Sequence, residues 1–66
     1  MSADNYIAVY KTKSGYSGFM LFASDNPEPL EIPNTKPLWT VASIREAVER
    51  CEEEAYLEYG YQFVGE

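Results

Sequence analysis

Six glutamates fall between residues 46 and 58: Glu46, Glu49, Glu52, Glu53, Glu54 and Glu58. Carboxylates at this density suit three kinds of chemistry. They can hold a hard cation such as Ca²⁺ or Mg²⁺ through oxygen, act as a glycosidase pair across a cleft of about 5–9.5 Å, or present an anionic surface to a basic partner. Carboxylates four apart on one helix supply at most part of a metal shell, and no EF-hand spacing is present. A chain of 66 residues with one helix is too small to wall a catalytic cleft. The anionic surface remains, alongside the plainer reading that a charge run is a solvated face.

The other reactive residue types narrow the choice. The chain has no histidine, which removes Ser-His-Asp and Cys-His catalysis, histidine metal sites and the usual base near neutral pH. Its single cysteine, Cys51, forms no internal disulfide and makes a zinc site implausible. It lies on the apolar side of the acidic segment, as a small buried hydrophobe would. Gly15-Tyr-Ser-Gly18 matches the loose Gly-x-x-Gly of KH domains, but a hairpin glycine accounts for it better. No Walker or dinucleotide motif occurs. No catalytic residue, cofactor or metal is therefore expected. Six tyrosines leave one further option, single-strand nucleic-acid binding by Tyr6, Tyr10 and Lys11.

The element that must position the glutamates is a helix over Ser43–Tyr59. Ser43-Ile-Arg-Glu46 has capping-box spacing, with the hydroxyl accepting from the amide three residues on and Glu46 reaching back to the Ser43 amide. Ile44, Ala47, Val48, Cys51, Ala55 and Tyr59 follow at offsets of three and four and form one stripe. Glu46, Glu49, Arg50, Glu53 and Glu54 lie around the other side, and Gly60 suits the left-handed position past the end. Glu52, Glu53, Glu54 and Glu58 crowd the end where the macrodipole is negative. Glu49/Glu53 and Glu54/Glu58 are like-charge pairs four apart, which Arg45–Glu49 and Glu46–Arg50 partly offset.

The remaining elements are extended. Tyr6–Lys11 alternates as a strand, Thr12–Ser17 is a turn cluster, and Gly18–Ser24 is a second strand, apolar on both faces. Their short connection predicts an antiparallel hairpin. Residues 25–37 hold four prolines and read as an ordered loop with a short edge strand at Leu30–Ile32. Leu38–Val41 and Tyr61–Val64 complete the order β-β-(β)-α-β. The expected fold class is α+β, a two-layer sandwich with a mainly antiparallel sheet of three or four strands and one helix on one face.

Size and charge bound the rest. A chain this short is one domain, residues 1–66, and thinly cored, so self-association or partner binding is expected to help it. Net charge is −6. Residues 43–66 carry seven glutamates against two arginines, a net of −5, the wrong sign for phosphate-backbone contact. No apolar run reaches membrane-spanning length, and Met1-Ser-Ala-Asp-Asn lacks signal-peptide character, so a cytoplasmic setting and no membrane partner are expected.

The opening Met1-Ser-Ala-Asp-Asn-Tyr6 before a short strand, and the acidic helix with Glu58-Tyr-Gly-Tyr61 before a last strand, resemble small phage and prokaryotic proteins of unassigned activity. The resemblance implies a phage or prokaryotic setting and no site residues.

The function expected from these residues is a non-enzymatic protein-interaction module. Glu49, Glu52, Glu53 and Tyr56 would dock a basic surface on a larger protein, the carboxylates steering encounter and the ring supplying contact area. A sharper form is a DNA mimic or anti-defence inhibitor covering a nucleic-acid-binding surface. A different class is a self-associating structural subunit that buries Met20, Phe22 or Trp39 against a second copy.

Overall fold

A computed structural model describes residues 5–24, 31–54 and 60–64. β1 (Asn5–Thr12) and β2 (Gly15–Phe22) form an antiparallel hairpin, from Asn5↔Phe22 to Thr12↔Gly15. The turn is only Lys13-Ser14, steadied by the Ser14 amide donating to the Thr12 hydroxyl at 3.2 Å. β2 thus begins three residues earlier than composition suggests. Tyr16 and Ser17 are held on one side by β1 and on the other by β3 (Trp39–Val41), which pairs antiparallel with β2. Pairing on both flanks overrides the turn character of Gly15-Tyr-Ser.

After β3 the chain enters α1 (Ile44–Glu52) and returns as β4 (Tyr61–Val64), parallel to β1. The strand order is β3-β2-β1-β4. The expected α+β class is what forms: one helix packs on a four-stranded mixed sheet in which β3-β2 and β2-β1 pair antiparallel and β4 adds at the edge parallel to β1. Glu31 is a bend and Ile32 lies outside any strand, so the proposed strand at Leu30–Ile32 does not form over its described part; Leu30 is outside the described residues. Pro33 and Pro37 punctuate this stretch, and proline supplies no ladder donor.

The helix is shorter than its periodicity predicts. It ends at Glu52, with Glu53 as its C-cap and Glu54 beyond it. The last turn tightens: the Glu53 amide reaches the carbonyls of both Glu49 and Arg50, at 3.2 and 3.3 Å, and the Glu54 amide reaches Cys51 at 3.1 Å. Acid at the negative end of the dipole disfavours continuing, and a longer helix would stack Glu53 on Glu49. Ala55–Tyr59, including the rest of the stripe, lie outside the described residues.

Two apolar clusters sandwich the sheet. On the helix side, Ile7, Val9, Trp39, Ala47 and Cys51 pack together, with Tyr16, Val41 and Phe63 against them. The Trp39 ring crosses Gly18, where an added Cβ would meet ring carbons at 2.4–2.8 Å. On the other side Tyr6, Ala8, Tyr10 and Phe19 pack with Leu21, Ala23 and Val64. Tyr10 meets Phe19 edge to face at 5.6 Å, and its hydroxyl donates to the Glu31 carbonyl at 3.0 Å. β1 is buried from Asn5 through Tyr10, so the alternation read from its sequence does not divide core from solvent.

Candidate functional site

The surface under test is the outer face of α1. Ser43 caps the helix in extended geometry, its hydroxyl accepting from the Glu46 amide at 3.2 Å. The reciprocal arm differs from expectation. Glu46 Oε1 accepts from the Ala42 amide at 3.1 Å, one residue earlier than Ser43. Glu46 is thereby committed to holding the helix start, and it also complements the positive end of the dipole.

Glu49, Glu52 and Glu53 are exposed. Glu49 and Glu52 ride on the helix and Glu53 caps it, so the three gather toward its C-terminal end. Arg50 is the one cation in the last turn. Tyr56, the fourth expected contact, lies outside the described residues. Below this face, Ala47 and Cys51 are buried. Ile44, the first residue of the expected apolar stripe, is 52% exposed. α1 packs mainly on β2 and β3.

Other candidate residues change standing. Tyr6 and Tyr10 are only 5% and 6% exposed, which leaves little ring surface for a base to stack on. Burial raises both phenols above their ordinary 10.0, with Tyr10 adding to the shift at Tyr6. Trp39, expected as a contact with a second copy, is a core residue instead. Met20 is half-buried and accepts at sulfur from Asn5 Nδ2 at 3.4 Å, while Phe22 is exposed. Tyr61 sits at the margin of a row missed in the sequence. Tyr16–Phe63 and Phe63–Tyr61 meet edge to face at 6.3 and 6.4 Å. The available signal was the i, i+2 spacing of Tyr61 and Phe63, which puts both on one face of a strand.

Cys51 is 2% exposed. Burial, then the carboxylates of Glu54 and Glu52, push its thiol from 9.0 up to about 11. The folded chain thus keeps a proton that the unfolded chain loses above pH 9. The stability contributed by this site is complete below that point and declines as pH rises toward 11; the buried phenols act in the same direction. Urea midpoints followed by circular dichroism are expected to fall steadily over that window, with Cys51→Ala showing a shallower decline. A flat profile would contradict the burial of all three groups. The same environment suppresses thiolate chemistry near neutral pH.

Among the described residues no three acidic or thiol groups converge as metal ligands would, and no helix is long and apolar enough to cross a membrane. No family model, curated protein or solved structure matches the chain. The class defined by fold and surface is a small α+β domain with an acidic helix on one face of its sheet.

Proposed function

We propose that this chain is a non-enzymatic acidic interaction module, of phage or prokaryotic cytoplasmic setting, that docks a basic surface of a larger protein through α1. The observation that carries the reading is where the acid lies. Glu49, Glu52 and Glu53 are exposed toward the helix end at which negative charge is least favourable. A face maintained only for solubility would gain as much from carboxylates near the N-terminus, where they also stabilise the helix. Placing them at the other end costs stability and creates a compact anionic patch, which speeds encounter with a cationic partner and weakens with salt. In the sharper form, the patch occupies a nucleic-acid-binding surface in place of phosphates.

The test is capture of nucleic-acid-binding proteins by the wild-type chain and by the Glu49→Gln, Glu52→Gln, Glu53→Gln triple variant. The variant is expected to lose capture while becoming more stable to urea, by roughly 0.3–1 kcal/mol for each charge removed from the last turn. Retained capture would end the proposal. Capture lost together with stability would attribute the loss to unfolding and would also contradict the electrostatic argument.

A further inference from the structure

Beyond the helix, β4 offers a second surface of different chemistry. It is an edge strand, and among the described residues no strand lies beyond it. The Ile7 amide donates to the Gly60 carbonyl at 3.0 Å, and the parallel register runs from Ile7↔Tyr61 to Tyr10↔Val64. In a parallel ladder the amide and carbonyl of one residue point to the same side, and successive residues alternate sides. Gly60, Gln62 and Val64 therefore turn their main-chain groups to β1. Tyr61 and Phe63 turn theirs outward, two donors and two acceptors in a row.

The two edges of the sheet are guarded unequally. β3 has three residues and follows Pro37 directly after Leu38. β4 reads Tyr-Gln-Phe-Val, with no proline, charge or bulge to discourage pairing. Its surroundings also suit a like-charged partner. α1 packs mainly on β2 and β3, and its buried Ala47 and Cys51 reach Ile7 and Val9 of β1. β4 itself carries no charged side chain, so two copies of a chain with net charge −6 can meet there without like charges opposed across the paired strands.

We infer that β4 pairs antiparallel with β4 of a second copy, about a two-fold axis through Gln62. This register places Tyr61 opposite the partner's Phe63 and Phe63 opposite the partner's Tyr61. Each opposed pair exchanges both main-chain hydrogen bonds, so the outward groups of both strands are satisfied with none left over. Side chains add a second match. Tyr61 is 36% exposed at the end of the Tyr16–Phe63–Tyr61 row. In the pair it lies across from the partner's Phe63 on the same face, continuing the row through the interface as cross-strand aromatic contacts. On the opposite face the two Gln62 amides meet at the axis. The product is a continuous eight-stranded sheet that carries one α1 on each half.

Sedimentation velocity from micromolar to millimolar chain is expected to shift from the mass of one copy to that of two. Amide exchange read by NMR over the same range is the sharper measurement. The Tyr61 and Phe63 amides should become protected only at high concentration, whereas Gln62 and Val64, bonded to β1, stay protected throughout. Gln62→Lys sets two cations face to face on the axis and should abolish the dimer, although it lowers the net negative charge. Thr40→Lys, exposed on the opposite edge, should leave the dimer intact. A monomer at millimolar concentration would overturn the inference. So would a dimer in which the Tyr61 and Phe63 amides stay open, or one broken by Thr40→Lys and not by Gln62→Lys. Protection induced only by an added extended peptide would transfer the edge to a foreign strand and equally overturn it.

Discussion

Replacing Trp39 with alanine is expected to leave most of the chain unfolded at room temperature. Trp39 is 8% exposed, and its ring lies across Gly18 and joins Ile7 and Val9 of the sheet to Ala47 and Cys51 of the helix. Truncating a buried tryptophan costs about 3–5 kcal/mol, and a core in a chain this short supplies about the same amount. Trp39→Phe separates ring volume from ring polarity. The indole Nε1–H is buried with no acceptor among the described residues, and leaving such a donor unpaired costs about 1–3 kcal/mol. Phenylalanine removes that donor along with some volume, so the variant should fold, within about 1.5 kcal/mol of wild type. Urea unfolding followed by far-ultraviolet circular dichroism is the measurement, since Trp39 is the only tryptophan and its fluorescence is lost in both variants. A Trp39→Ala midpoint equal to wild type would mean that the ring does not join helix to sheet.

The second large effect belongs to Gly15. Its φ is +135°, and an added Cβ would lie 2.0 Å from the Val41 carbonyl oxygen, 3.0 Å from the carbonyl carbon and 3.1 Å from Ala42 Cα. These are main-chain atoms, so no side-chain rotation relieves the overlap. The chain must instead move β3, and with it Ser43, which caps α1. Gly15→Ala is expected to lose about 2 kcal/mol or more through strain and forced separation. Gly60→Ala provides the comparison, because Gly60 has φ +70° and nothing within 4 Å of an added Cβ. That variant meets only the left-handed backbone penalty, about 1 kcal/mol. Denaturation midpoints should rank wild type, Gly60→Ala and Gly15→Ala in falling order. Equal midpoints for the two variants would show that the contact with Val41 does not restrict the hairpin.

The helix start was legible because everything that makes it is local. Ser43 and Glu46 are three residues apart, and the cap they form needs no other part of the chain. The helix end was harder. Apolar spacing continues to Tyr59, while acidic crowding opposes continuation, and spacing alone does not weigh one against the other. The exposed acids were readable for the same local reason: positions opposite Ala47 and Cys51 on a helical wheel face outward. The burial of both β1 tyrosines was not legible, because period-two alternation separates two faces without saying what covers either. Tyr6 and Tyr10 share a face, as their spacing requires, and that face is packed. β4 was recognised as a strand, but its place at the edge, its parallel sense and its outward Tyr61 and Phe63 groups were not.

Local spacing and composition by themselves determined the α+β class, the hairpin, the cap at Ser43 and the placing of acid on the outer side of α1, since each depends on residues within a few positions of one another. Only the tertiary structure decided the strand order, the burial of both faces of β1, the seat of Trp39 over Gly18 and which strands stand at the edges of the sheet. Those properties arise from pairings between segments far apart in the chain, where many arrangements satisfy the same local preferences and close packing selects among them.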